Sequence, residues 1–323
     1  MVHCERYQDT NVHTHPQRER QHILMRAFIT PASKYPGSRM GRTYSVPVQE
    51  MKGGELEEEK KVLTLQARSS YGPSPPPFEA WYIDEEGCFH VPRFYGMERF
   101  GVAETDERVD GEAIGLTFQG DLTDVQKKAS ETVFRKSFHS GGDGGTIVCL
   151  PCGYGKTVWA VHTIVKLGRK ACVFVHKSFL RDQWESTFRH FCPDVRVGLI
   201  QGKTWNVEGC DVVIAMVMTM AKREYDPEVM DCFGTICFDE CHHMAAPVMN
   251  RAVRSCRARN VIGLTATKDR PDGLTPLLHW SLGGEGFRVE RDSEPFGISN
   301  ELQPKIFSHI FSICFIAGCQ WTT

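Results

Sequence analysis

The sequence predicts an α/β fold built on a parallel β-sheet with helices on both faces. Apolar, β-branched runs at residues 146–149, 171–175 and 212–215 alternate with stretches of helical periodicity. This alternation is typical of parallel strands joined by crossover helices. In addition, several apolar runs end in polar residues, as expected where the carboxyl ends of parallel strands form a ligand site.

The first of these strand ends is a glycine-rich loop. Residues 150–157 read Leu-Pro-Cys-Gly-Tyr-Gly-Lys-Thr and are followed by a helical pattern. The backbone N–H groups of such a loop cradle a triphosphate, while a lysine reaches its β and γ oxygens and a hydroxyl holds Mg²⁺. Leu150 stands where the strict motif has its first glycine, so a glycine turn with a stray lysine is the alternative. The residues predicted to bind the nucleotide are Gly153, Tyr154, Gly155, Lys156 and Thr157.

Two further strand patterns also end in polar side chains. The apolar run 235–238 is followed by Asp239 and Glu240. An acid at such a position can orient Mg²⁺, and a neighbouring glutamate can polarise an attacking water. The run 261–264 is followed by the two hydroxyls of Thr265 and Thr267. The sequence therefore predicts Asp239 as a metal ligand and Glu240 as a general base.

The order of these pieces resembles the ATP-binding lobe of the superfamily 2 DExH helicases. Residues 153–157 match motif I, Asp-Glu-Cys-His at 239–242 matches motif II, and Thr-Ala-Thr at 265–267 matches motif III. The Leu-Pro-Cys-Gly form of motif I at 150–153 resembles that of XPB-like and large DNA virus helicases. Asp-Glu-Cys-His-His at 239–243 and Arg-Pro-Asp-Gly at 270–273 resemble strings of the viral type. The resemblance implies a RecA-like P-loop NTPase domain over residues 116–291, with ATP and Mg²⁺ as cofactors.

The resemblance also implies roles for individual residues. Lys156 would hold the phosphates, Thr157 and Asp239 the magnesium ion, and Glu240 would activate water. Thr265, Thr267 and His242 would couple the state of the nucleotide to the nucleic-acid path. An upstream segment at 118–126 resembles the one whose glutamine reads adenine, which would be Gln126. The usual Arg-Pro before that glutamine is absent, so a solvated glutamine at a helix start is the alternative.

In this family the nucleic-acid contacts come largely from loops after the central strands. Here those loops supply Lys177, Ser178 and Thr219 as candidates, and such contacts grip phosphates. We expect a nucleic-acid partner, with DNA favoured over RNA. The aromatic residues Phe179, Trp184, Phe188 and Phe191 recur at near-helical spacing and predict a core-facing helix rather than a base-stacking platform. The basic cluster formed by Arg251, Arg254, Arg257 and Arg259 is interpreted as a solvated helix face rather than a phosphate track.

Composition is consistent with an intracellular protein that does not enter a membrane. The chain has 323 residues and a net charge of −2, so nucleic-acid binding would require a local groove rather than a global positive charge. The 13 cysteines are accompanied by no signal-peptide pattern, and several lie in predicted buried strands, which favours reduced thiols.

The predicted organisation has four parts. Residues 1–61 are rich in charge and proline and are expected to be disordered. Residues 62–115 form a small β-rich accessory region, 116–291 the ATP-binding domain, and 292–323 a tail that matches nothing in the family. We therefore expect an isolated first lobe with weak ATP hydrolysis, completed by a second helicase lobe supplied in a longer product or in trans. The alternative is a catalytically inactive nucleotide- or nucleic-acid-binding remnant, which leaves the enzymatic status of this chain open.

Overall fold

The fold consists of a large parallel-rich sheet and a smaller sheet packed beside it. The computed structural model describes residues 33–67, 76–223, 225–243, 246–267, 270 and 272–289. The predicted tail at 292–323 lies outside these residues, as does the first part of the N-terminal segment. Among the described helices, none is both long enough and apolar enough to cross a bilayer.

The large sheet has eight strands in the order β11-β10-β12-β9-β13-β14-β8-β15. Neighbouring strands are parallel except for β11, which runs antiparallel to β10 at one edge. The bounds of these strands are β8 Gly145–Cys149, β9 Ala171–Val175, β10 Val197–Gln201, β11 Thr204–Asn206, β12 Val212–Met216, β13 Thr235–Phe238, β14 Asn260–Thr265 and β15 Glu285–Arg288.

Helices connect and cover these strands. In chain order they are α3 Asp124–Lys136, α4 Lys156–Leu167, α5 Ser178–Phe191, α6 Val217–Lys222, α7 Ala246–Val253 and α8 Thr275–Leu282, with 3₁₀ turns at Pro227–Met230 and Cys241–His243. Every residue of β8, β9 and β13 is buried, as expected for central parallel strands covered on both faces. The predicted α/β fold with a parallel sheet is confirmed.

The smaller sheet has five strands in the order β5-β6-β2-β1-β7, and a separate pair is formed by β3 and β4. Its elements are β1 Arg39–Met40, β2 Tyr44–Pro47, β3 Thr64–Leu65, β4 Phe78–Glu79, β5 Tyr82–Ile83, β6 Cys88–Val91 and β7 Thr105–Asp106, with helices α1 Glu55–Leu63 and α2 Arg93–Phe100 and a 3₁₀ turn at Val48–Glu50.

The expectation that residues 1–61 are disordered is wrong for residues 33–61. This stretch supplies two strands of the small sheet and most of α1, and Tyr35 and Tyr44 are buried in its core. The carboxylate of Glu59, 2% exposed, accepts hydrogen bonds from Tyr95 and Arg99. The segment needs few apolar residues to be ordered, because those it has pack into a core that residues 78–106 also form. Residues 1–32 lie outside the described part of the chain.

Three arginines that follow α7 are held by side-chain contacts, and two of them, Arg254 and Arg259, reach the small sheet. Arg254 donates to the Ala80 carbonyl at 3.0 Å and lies over the Tyr82 ring. Arg257 pairs with Asp231, and Arg259 pairs with Asp106 and Asp110. The interpretation of the cluster as a solvated face is therefore wrong for these three, and only Arg251 on α7 is exposed.

Helix α2 makes the most deeply buried contact between the two sheets. Its first residue, Arg93, is 1% exposed and donates to the carbonyls of Ala258 at 2.7 Å and Cys256 at 3.2 Å. Burial lowers the pKa of this guanidinium to about 10, so it remains charged at neutral pH. Its Nε is buried without a hydrogen-bond partner among the described residues.

Candidate functional site

The glycine-rich loop and the acidic pair meet at the carboxyl edge of the large sheet. Lys156 begins α4 directly after the loop, and its Nζ lies 3.5 Å from Glu240 Oε1. The same Nζ donates to the Leu150 carbonyl at 3.2 Å. Both side chains are largely buried, with Lys156 10% and Glu240 21% exposed. The fold thus brings a cation and a carboxylate together from two strands that are not sequence neighbours.

Two glycines give the loop its shape. Gly153 and Gly155 have φ angles of 89° and 70°, a region that side chains with a Cβ rarely adopt. At Gly155 a Cβ would also meet the amide nitrogen of Gln126 at 2.4 Å, whereas at Gly153 it would meet open space. Tyr154 and Thr157 are half-buried on either side of Gly155 and Lys156. At Gly153 the backbone of this loop is therefore not covered by a side chain and faces open space.

The amide of Gln126 is fully engaged with the protein. Its Oε1 accepts from the Thr123 N–H at 2.9 Å, which completes a capping box at the start of α3. Its Nε2 donates to the carbonyls of Tyr154 at 3.2 Å and Gly155 at 3.1 Å. The side chain is buried rather than solvated, so it fixes the loop to α3 in this structure. Adenine reading by Gln126 stays a prediction, and it would require an exchange of these bonds.

Asp239 lies at the end of β13 with both carboxylate oxygens bonded. Oδ2 accepts from the indole N–H of Trp184 at 2.8 Å, and Oδ1 accepts from the Glu240 N–H at 3.0 Å. Burial raises the pKa of Asp239, the Trp184 bond opposes that rise, and the charge of Glu240 adds to it. A cation beside Asp239 would favour its ionised form.

Glu240 has an unusual backbone. Its φ of 46° is the single positive value at a non-glycine residue in the described part of the chain. Such a conformation costs about 1–3 kcal/mol and is found preferentially at functional sites. The Oε2 atom is buried and finds no hydrogen-bond partner within the described residues. The carboxylate is thus held next to Lys156 with one oxygen available for a ligand.

A hydroxyl bridge joins the second and third motifs. Thr265 Oγ1 donates to the Thr267 carbonyl at 2.9 Å and lies 2.8 Å from His242 Nδ1. Because the hydroxyl proton is used toward Thr267, His242 Nδ1 is the donor in the second bond. The same Nδ1 lies 3.5 Å from Glu240 Oε2. Burial lowers the pKa of His242, and the neighbouring His243 lowers it further, which favours the neutral imidazole.

The residues predicted to contact nucleic acid follow two neighbouring strands. Lys177 and Ser178 come after β9 and begin α5, whereas Thr219 lies in α6 after β12, which pairs with β9. The Thr219 hydroxyl already accepts the Gly202 N–H at 3.0 Å. The Lys177 ammonium lies 5.8 Å from the centre of the Phe179 ring.

Helical spacing predicted the burial of two aromatic residues on α5 correctly, but not of all four. Trp184 and Phe188 are fully buried, and the Trp184 bond to Asp239 gives it a place in the site that periodicity could not reveal. Phe179 is 55% exposed, which contradicts its predicted core-facing position. The buried stripe of α5 is formed by Leu180, Trp184 and Phe188 at a spacing of four, and Phe179 lies one position off this stripe.

A protein-family model covers the segment that holds these residues. The family model described as Type III restriction enzyme, res subunit, matches residues 119–270. This range contains the glycine-rich loop, the acidic pair and the threonine motif. It begins before α3 and ends after β14.

Individual relatives are viral, bacterial and eukaryotic helicases. The chain is 29% identical over 204 residues to a protein of Acanthamoeba polyphaga mimivirus named as a candidate ATP-dependent RNA helicase. It is 33% identical over 174 residues to the DNA 3′-5′ helicase XPB of Mycobacterium tuberculosis. These matches cover 62% and 51% of this chain but only 38% and 30% of the relatives. The chain thus corresponds to about a third of the length of these two proteins.

A solved structure shares the fold. The UvsW helicase of bacteriophage T4 superposes with a TM-score of 0.50 over 74% of this chain and 94% of that one, at 16% sequence identity. At this identity the similarity concerns the fold alone. It is consistent with a RecA-like arrangement of the large sheet.

Proposed function

The chain belongs to the superfamily 2 helicases, with XPB and large DNA virus helicases among its relatives, and from this membership we propose that it binds and hydrolyses Mg·ATP as the first lobe of a nucleic-acid-dependent motor. The observation that carries the proposal is the 3.5 Å approach of Lys156 to Glu240 beside the bare glycine loop. A lysine, a glutamate and free backbone N–H groups at one sheet edge are the parts that phosphoryl transfer requires.

Lys156 and the loop are proposed to hold the phosphates. The ammonium now lies between a carbonyl and a carboxylate, and a triphosphate offers it acceptors of higher charge. The helix that begins at Lys156 adds its N-terminal N–H groups and dipole. Gly153 leaves room for the backbone to approach the ligand.

The donor set fits a magnesium ion. Asp239 is a buried carboxylate whose two oxygens each carry a single hydrogen bond, which leaves lone pairs for a cation. The unpartnered Oε2 of Glu240 lies beside it. Carboxylates and hydroxyls are ligands that Mg²⁺ prefers, so Asp239 and Thr157 would hold the ion. When bound, the ion neutralises charge that develops on the transferred phosphoryl group.

Glu240 is proposed as the general base. Its free oxygen can accept a proton from an attacking water, and its other oxygen lies 3.5 Å from Lys156 Nζ. His242 Nδ1 is hydrogen-bonded to Thr265 Oγ1 at 2.8 Å and lies 3.5 Å from the free Glu240 oxygen without a hydrogen bond to it. We propose that this bridge transmits the state of Glu240 to Thr265 and Thr267, and from there to the nucleic-acid path.

A second candidate function is nucleotide or nucleic-acid binding without turnover. DNA is the favoured nucleic acid because the XPB relatives are named for it, whereas the mimivirus relative is named for RNA.

Replacing Lys156 by alanine should weaken Mg·ATP binding at least about tenfold, because the site loses its cation for the phosphates. Isothermal calorimetry of the wild-type chain and the variant measures the effect. Lys203→Ala is the matched control, since Lys203 is an exposed lysine outside the site. Equal affinities for wild type and Lys156→Ala, or no binding by either, would remove the ATP site.

Trp184→Phe should weaken the magnesium-dependent part of ATP binding by about 10- to 100-fold, because Asp239 loses the indole N–H that fixes its carboxylate. ATP affinity in the presence of a chelator should change little. The control is Trp159→Phe, since Trp159 is equally buried but its Nε1 has no hydrogen-bond partner in the described chain. An equal effect of both substitutions on Mg·ATP affinity would show that packing, not the hydrogen bond, is responsible.

A further inference from the structure

One large apolar side chain stands exposed beside the predicted nucleic-acid loop. Phe179 is 55% exposed, although it lies only two residues after Lys177 and in the first turn of α5. Phenylalanine is usually among the more buried residue types, and the other two aromatic residues facing the core from this helix, Trp184 and Phe188, are fully covered. Phe179 thus presents its ring to solvent at the edge where the strand-end loops meet.

A lysine lies over this ring, and two histidines lie in the loops that follow β9 and β13. The Lys177 ammonium lies 5.8 Å from the ring centre, and His176 precedes it in the chain. The imidazole of His176 lies 5.6 Å from that of His243, which follows the acidic motif. The first turn of α5 contains no acidic residue, and Asp182, one turn after this phenylalanine, is paired with Arg181. An anion and a flat ring can therefore be bound side by side here.

The neighbouring loop adds a second apolar group without building a continuous apolar surface. Met218 on α6 is 44% exposed, and α6 follows β12, the strand paired with β9. Two separate apolar side chains flanked by a lysine are a poor match for the large apolar patch of a protein interface. They match a nucleic-acid strand, whose phosphates and bases alternate along the chain.

We propose that Phe179 stacks on an unpaired base of a bound nucleic-acid strand while Lys177 contacts an adjacent phosphate. The inference rests on the proposed function, because it assigns a base contact to the same nucleic-acid path. Phosphate contacts alone are made equally to single strands and duplexes, whereas a base face is accessible for stacking only where the base is unstacked. Phe179 therefore selects single-stranded over double-stranded nucleic acid, with little preference for sequence.

The test compares a short single-stranded DNA with a sugar-phosphate strand of the same length that lacks bases. Affinities are measured by fluorescence anisotropy for the full 323-residue chain and its variants. Wild type should bind the base-containing strand about 5- to 100-fold more tightly, and Phe179→Ala should lose this difference. Phe179→Tyr keeps the ring and should retain it. Val102→Ala removes an equally exposed apolar group elsewhere and serves as the control.

A salt titration separates the two contacts. Lys177→Ala should weaken binding to both strands and reduce the slope of log affinity against log salt by about 0.7, whereas Phe179→Ala should leave the slope unchanged. Equal affinity of wild type and Phe179→Ala for the base-containing strand would overturn the stacking proposal. So would equal losses on both strands, which would indicate a packing role for the ring. No binding of either strand by wild type would instead remove the proposed nucleic-acid function itself.

Discussion

Replacing Glu240 by glutamine is expected to slow ATP hydrolysis about 100- to 10,000-fold while leaving Mg·ATP affinity close to that of the wild-type chain. Glutamine is nearly isosteric but cannot take a proton from water. Lys156 and the glycine loop, which provide most of the phosphate contacts in the proposed site, are unchanged. The carboxylate also carries one unpartnered oxygen, so no protein hydrogen bond of that atom is lost.

The measurement is single-turnover hydrolysis with protein in excess over ATP, which reports the chemical step even when turnover is slow. Glu208→Gln, at an exposed glutamate outside the site, controls for the change in net charge. A rate within a factor of three of wild type for Glu240→Gln would exclude Glu240 as the base. Parallel loss of hydrolysis and of Mg·ATP affinity would assign it a binding role instead.

Replacing Arg93 by alanine is expected to destabilise the protein by about 3–5 kcal/mol, because it creates a cavity and leaves two buried carbonyls without donors. These carbonyls, of Cys256 and Ala258, precede β14, whereas Arg93 begins α2 beside the small sheet. The guanidinium spans the boundary between the two sheets. Its loss should therefore loosen the small sheet from the large one.

Urea unfolding followed by circular dichroism measures this change. Arg93→Met keeps most of the side-chain volume and should cost less than alanine, since only the hydrogen bonds are lost. Arg189→Ala is the control, because Arg189 pairs with Glu185 on an exposed face of α5 and should change stability by no more than about 0.5 kcal/mol. A loss of stability of about 0.5 kcal/mol or less for Arg93→Ala would contradict the interpretation that Arg93 links the two sheets.

The sequence predicted the large sheet well because the pattern that identifies each buried strand lies within a few consecutive residues. Buried parallel strands need continuous apolar runs, and β8, β9 and β13 are such runs. The positions of Lys156, Asp239 and Glu240 at one edge follow from the same rule, since the carboxyl ends of parallel strands share an edge. Where the chemistry of a site depends on which residue types stand at strand ends, it can be predicted from the sequence alone.

What the sequence did not predict depends on contacts between distant segments. Periodicity indicated that Trp184 is buried, but it could not show that the indole N–H reaches Asp239, 55 residues away. The order of residues 33–61 arises from packing against residues beyond 78, which composition does not report. Phe179 is five residues before Trp184, whereas the buried stripe continues to Leu180, so the near-helical spacing of the aromatic residues alone assigned it to the wrong face. Arg254 and Arg259 find partners in the small sheet and Arg257 pairs with Asp231, and the sequence identified none of these contacts.

The double engagement of Gln126 means that adenine reading by this residue, as the sequence predicts it, would be an exchange of hydrogen bonds rather than an addition. Both donors of its amide group are used by carbonyls of the glycine-rich loop, so a purine that takes one of them must release the loop by the same step. The free energy of base binding would then be linked to the geometry of this loop, and by reciprocity a triphosphate bound by the loop would alter the affinity for the base. A single side chain would thereby make this lobe sensitive to whether both ends of a nucleotide are present at once.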